Sequence, residues 1–221
     1  MKPIEYLARQ MALEGIQVIG DHWIAPARPG GEDVPLLLLA RTSDDVLRLF
    51  VNCELPIVLR DRLAVPDRQG FSADWALEVL RKAGIPATIG RYRTYVCPES
   101  FEPGDCEQVA CYNPQDPKVV AFGFHGLADE VFAIECGGQI VSACMSSRQA
   151  SQAAEAWVFT HPAYRLRGLA QQVVRAWAQA MRQAGRTPFY SHHLDNTNSA
   201  RLARRLGLIE VFDEIGIERE T

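Results

Sequence analysis

Arg165, Leu166, Arg167, Gly168, Leu169 and Ala170 bring two guanidinium groups, a glycine and a small residue together within six positions. That combination suits an anion. The first N–H groups of a helix have no partner inside it and carry the positive end of its dipole. A glycine lets the backbone approach a ligand closely, and arginine adds a charged fork that matches phosphate oxygens. With a helix opening after Gly168, the stretch is a cradle for phosphate or pyrophosphate. A second candidate lies upstream. Glu155 stands in an otherwise apolar run, where an unpaired charge is expensive. It reads either as a general base or as the partner of an arginine. Downstream, Tyr190, Ser191, His192 and His193 gather titratable and hydroxyl groups on one short run. Each is either a proton donor or acceptor or a structural residue.

The elements that must position these groups follow from periodicity. Residues 153–160 are apolar, with β-branched and aromatic members, and predict a buried strand ended by Pro162. Leu169, Ala170, Val173, Val174, Trp177, Ala178 and Met181 fall on one face of a helix that stops at Gly185. Residues 130–135 and 140–145 flank Gly137-Gly138 and predict a hairpin, followed by a polar link over 146–152. Residues 187–193 predict a strand parallel to the central one, because a helix crosses between them. Asp195 or Asn196 then caps a helix to Leu206, Gly207 stops it, and 208–217 form the last strand.

The motif and its setting resemble a known family. RLRGLA is similar to the Q/R-x-x-G-x-G/A signature of the GNAT superfamily of acyl-CoA-dependent N-acetyltransferases. Val158, Thr160, Pro162, Tyr164 and Arg165 resemble that family's lead-in, and Asn196, Ser199 and Gly207 match its later N-x-x-A/S segment. The resemblance covers about residues 118–217. It implies a mixed α/β (α+β) fold: a mostly antiparallel sheet with a central, splayed parallel strand pair, flanked by helices. It implies acetyl-CoA as cosubstrate, bound by Val158, Phe159 and Thr160, by Arg165 through Ala170, and by Asn196 and Ser199. It implies direct attack by a primary amine, with Glu155 as base. No metal is implied. Asn196 is equally a plain helix cap. Where many members carry a proton-donating tyrosine, this chain has Ala203, so Tyr190, Ser191, His192 or Tyr164 must stand in, or the thiolate leaves unaided. A CoA-binding module without catalysis is the alternative function.

Composition narrows the field. The chain has 221 residues, 48% hydrophobic and 23% charged, with a net charge of −4, which argues against a general nucleic-acid binder. No signal-like segment opens it, and the apolar run 34–40 is far shorter than the ~20 residues that span a bilayer. A cytoplasmic protein without membrane or nucleic-acid partners is expected, its partners being acetyl-CoA and an amine-bearing small molecule or peptide, with a homodimer left open. No P-loop or dinucleotide glycine motif occurs. The cysteines at 53, 97, 106, 111, 136 and 144 form no C-x-x-C pair; reduced thiols are expected, with Cys136 and Cys144 as small core residues.

The remainder reads as an N-terminal α+β region, residues 1–105, expected to cover the acceptor side of a domain at 106–221. Helices are predicted over 3–13, 56–64 and 72–83, and strands over 34–40, 46–51 and 91–96. The proline-rich stretch 97–117 reads as a connection.

Overall fold

The computed structural model describes residues 1–28, 34–64, 72–101, 109–124 and 130–220. These fall into two units: Met1–Thr94 with His193–Asp195 and Glu210–Thr221, and Tyr95–His192 with Asn196–Ile209. The expected boundary at 105/106 and Cys106 lie outside the described residues.

The first unit holds helices α1 (Pro3–Leu13), α2 (Ile57–Ala64) and α3 (Ala73–Lys82) and strands β1 (Ile16–Ile19), β2 (Trp23–Pro26), β3 (Leu37–Thr42) and β4 (Leu47–Asn52). It also holds most of β5 (Ala87–Val96) and of the last strand of the chain, Ile209–Arg219. β1 pairs antiparallel with β2, β2 parallel with β4, and β4 antiparallel with β3. The last strand lies antiparallel on β3, from Phe212 opposite Thr42 to Ile217 opposite Leu37. Ser72 caps α3 as expected, accepting from the Trp75 N–H at 3.3 Å. Leu37, Val51, Leu63, Leu80 and Ile217 close the core beneath. β1 and β2 were not foreseen; at four residues each, they are too short to show a period.

The second unit carries the site. Its strands are β6 (Ala110–Tyr112), β7 (Val131–Cys136), β8 (Gln139–Gln149), β9 (Ala153–Thr160) and β10 (Thr187–His193), in the order β10-β9-β8-β7-β6. Its helices are α4 (Pro117–Phe122), α5 (Leu169–Gln183) and α6 (Thr197–Leu206), and Ile209–Arg219 is β11. Gly137 and Gly138, at φ 60° and 79°, make the two-residue turn of the β7–β8 hairpin, a backbone shape that residues with a Cβ rarely take. α5 buries Val173, Val174, Trp177, Ala178 and Met181 against one face of the sheet, the stripe expected from the sequence. Val119 of α4 packs with Val131, Ile140 and Met145 on a separate cluster.

Three expectations change. The polar link over 146–152 is strand as far as Gln149, because its polar side chains find partners in the fold. The Trp177 indole N–H donates to buried Ser146 Oγ at 3.1 Å, and Arg148 pairs with Glu155. The connection over 97–117 contains β6, which lies antiparallel on β7. Cys136 is exposed at the hairpin end rather than in the core, whereas Cys144 is fully buried. Burial pushes the Cys144 thiol well above its ordinary pKa, and Cys97 up to about 12.

Candidate functional site

β9 and β10 run parallel, and their pairing has a short reach. Thr187, Pro188 and Phe189 stand opposite Ala153, Ala154 and Glu155, and the register ends there. β9 continues five residues further to Thr160, still paired on its other side with β8. One edge of β9 is therefore open over Ala156 to Thr160. Backbone N–H and C=O groups exposed along such an edge are the complement of an amide-bearing ligand.

The open edge leads into the basic turn. Pro162–Tyr164 forms one 3-10 turn, and the chain then passes through Leu166 at φ 64° and Gly168 at φ 79° before α5 begins. A leucine in the left-handed region is strained by about 1–2 kcal/mol. Leu166 is 90% exposed, so packing does not compensate. A Cβ built on Gly168 would meet no atom within 4 Å, so the space before the first turn of α5 is open. Arg165 Nε donates to the Thr160 carbonyl at 3.2 Å, with its guanidinium 5.9 Å from the Phe159 ring centre. Arg167 donates to the Ala163 carbonyl at 3.3 Å and lies over the Tyr164 ring. Both arginines thus brace the turn.

Edge and turn line a cavity of about 470 Å³. Of the residues singled out from the sequence, Val158, Phe159, Thr160, Arg165, Leu166, Gly168, Leu169, Ala170, Tyr190, Asn196 and Ser199 line it. Arg167, Glu155 and His192 are not among the lining residues. Sequence reasoning missed Gln171, Asn198, Arg201, Leu202 and Arg205 on the same walls. A signal was present: Asn198, Arg201 and Arg205 share one face of α6 at i, i+3, i+7 spacing.

Asn196 caps α6, its Oδ1 accepting from the Ser199 N–H at 3.0 Å. Tyr190 packs with Ala203 and Tyr95 in a small buried cluster. Burial pushes its phenol up to about 12, opposed by a hydrogen bond with Ser199. His192, also buried, stacks on Tyr95 with ring centres 5.6 Å apart. Glu155 is buried with both carboxylate oxygens engaged. Arg148 Nη1 donates to Oε2 at 3.0 Å, and the Ser191 hydroxyl donates to Oε1. These are the contacts of the arginine-partner reading that the sequence had left open. Tyr190 and Ser191 are consecutive on β10 and so point to opposite faces of the sheet. The phenol meets the cavity, and the Ser191–Glu155 pair lies on the far side of the same strands.

Comparison with known proteins follows the same segment. The GNAT acetyltransferase family model matches residues 131–213. An acetyltransferase from the GNAT family of Colwellia psychrerythraea aligns over 80% of this chain and 79% of its own, at 13% identity and a TM-score of 0.52. A GNAT-family protein of Novosphingobium aromaticivorans aligns over 61% of this chain and 66% of its own, at 19% identity and a TM-score of 0.50. These likenesses are of fold. No curated protein matches the chain.

Proposed function

We propose, from the match of residues 131–213 to the GNAT acetyltransferase family model, that this chain transfers an acetyl group from acetyl-CoA to a primary amine by direct attack. The observation that carries this reading is the early end of the β9–β10 pairing, opening onto the strained turn at the start of α5. When bound, acetyl-CoA supplies an activated acyl group on a thiol that leaves with a pKa of about 8.5.

The residues present fit that molecule. The N–H groups that open α5 at Leu169 and Ala170, with the clear space at Gly168, suit a diphosphate. The open edge of β9 over Val158, Phe159 and Thr160 offers partners to the amides of the pantetheine arm and an N–H to the thioester oxygen. Asn196 and Ser199 face the same space from α6.

Proton handling divides across the sheet. Tyr190, neutral at physiological pH, donates its O–H toward the departing sulfur. On the other face, the attacking amine gives its proton to Ser191 Oγ while the Ser191 hydroxyl proton passes to Glu155. Glu155 is thus the terminal acceptor, held in place by Arg148. His192, stacked on Tyr95 and edge-on to the Tyr190 ring, positions that ring rather than exchanging a proton.

A non-catalytic CoA-binding module is favoured by one observation, the engagement of both Glu155 oxygens. Two measurements separate the readings. Calorimetric titration detects CoA binding in either case. Thiol release across polyamines, aminoglycosides, amino acids and peptide N-termini detects turnover only in an enzyme. Glu155→Gln is expected to lower turnover with CoA affinity intact, and equal rates in mutant and parent would remove Glu155 from the mechanism.

A further inference from the structure

α6 carries more positive charge than its place in the fold requires. Leu202, Ala203 and Leu206 form its inward stripe. Arg204 and Arg205 sit in its last turn, where the helix dipole favours cations. Arg201 lies a turn earlier, outside that effect. It stands four residues before Arg205, so the two guanidinium groups share a face and repel one another. Neither has a hydrogen bond or ion pair with the described residues. Carboxylates are not scarce: the chain has 27 acidic residues against 23 basic ones. Elsewhere they are used, as in Arg93 with Asp213 and Arg148 with Glu155. On this stripe they are missing, and both arginines line the cavity.

The turn at Gly168, read above as the diphosphate site, lines the same cavity. A second pair of cations on α6 calls for a ligand with a second, separate anionic group. We propose that Arg201 and Arg205 bind the 3′-phosphate on the adenosine ribose of CoA, and that this contact makes the protein select CoA over dephospho-CoA. The inference rests on the acyl-CoA reading of the same cavity. A phosphate monoester carries close to two charges at pH 7 and presents three acceptor oxygens, enough for two guanidinium groups at once.

The test is calorimetric titration of CoA and dephospho-CoA into the parent, the two single Arg→Gln variants and the double variant Arg201→Gln/Arg205→Gln. Both side chains are exposed, so the double variant is expected to keep the parent's circular dichroism and melting temperature. The parent is expected to bind CoA about tenfold or more tighter than dephospho-CoA. The double variant should bind the two ligands alike, with dephospho-CoA affinity within about twofold of the parent's. Equal affinities in the parent, a preference that survives in the double variant, or an equal loss on both ligands would each overturn the assignment. Should the parent bind neither ligand, the acyl-CoA reading itself fails, which the other outcomes leave standing.

Discussion

Tyr190 illustrates how one side chain answers to two demands. Its ring fills the space beside Ala203 and Tyr95, and its hydroxyl reaches a cavity wall. Tyr190→Phe keeps the ring and removes the proton. Turnover is expected to fall about tenfold or more, with CoA affinity within about twofold. Unchanged turnover would show that the thiolate leaves without help. The same variant tests the burial. Because the folded-state pKa is raised from 10 to about 12, folding favours the neutral phenol. Its stabilisation is complete below pH 10 and is lost as pH rises from 10 toward 12, by about 2–3 kcal/mol. Urea unfolding at pH 9 and pH 11.5 should show a smaller alkaline loss in Tyr190→Phe than in the parent. Tyr112 and Cys97, each also raised to about 12, contribute to both proteins alike. Equal losses would mean that the phenol is not held neutral by the fold. At this scale the sequence marked Tyr190 and Glu155 as candidates but left their partners open. Arg148 is seven residues from Glu155 and Ser191 is 36 away, and sheet pairing brings them together.

At the scale of elements, the turn before α5 and the end of β8 make opposite points. The turn was legible because a glycine, two arginines and a helix stripe lie adjacent in the chain. What the sequence did not show is that Leu166, rather than glycine, takes one of its left-handed positions. Leu166→Gly should therefore leave the fold neutral or up to about 1 kcal/mol more stable, relief of strain exceeding the added freedom of the unfolded chain. A loss above about 1 kcal/mol in urea unfolding would contradict the strain. The end of β8 was misread as a link because Ser146, Ser147 and Arg148 look like solvent-facing residues. Ser146 is 3% exposed and accepts the buried Trp177 N–H. Ser146→Ala strands that donor and should cost about 1–3 kcal/mol, with a change in tryptophan emission. An effect below about half a kcal/mol would mean that the bond contributes nothing net.

For the molecule as a whole, net charge and local charge have opposite signs. A chain of net charge −4 repels an anion at long range. Arg165, Arg201 and Arg205 around the cavity must then act at short range. Raising salt from 0.1 to 1 M shortens the screening length from about 10 Å to about 3 Å. CoA affinity should weaken by about tenfold over that range; a flat response would remove the exposed arginines from binding. The chain's division into units is also a property of the whole. Glu210–Thr221 group with the N-terminal residues because β11 pairs with β3 across some 170 positions of sequence, and His193–Asp195 because the Leu194 N–H donates to the Arg91 carbonyl and His193 meets the Tyr92 ring. Local composition carries no trace of such a pairing. The amino-acid order alone determined the helix stripe of α5, the glycine hairpin, the Gly168 turn and a helix cap at Asp195 or Asn196, since each rests on contacts within a few residues. The tertiary structure alone decided where β9 and β10 part, which carboxylate meets which arginine, and which face of α6 looks into the cavity. Those depend on strands far apart in the chain meeting in one register, and the energy that selects a register is spread over the whole sheet.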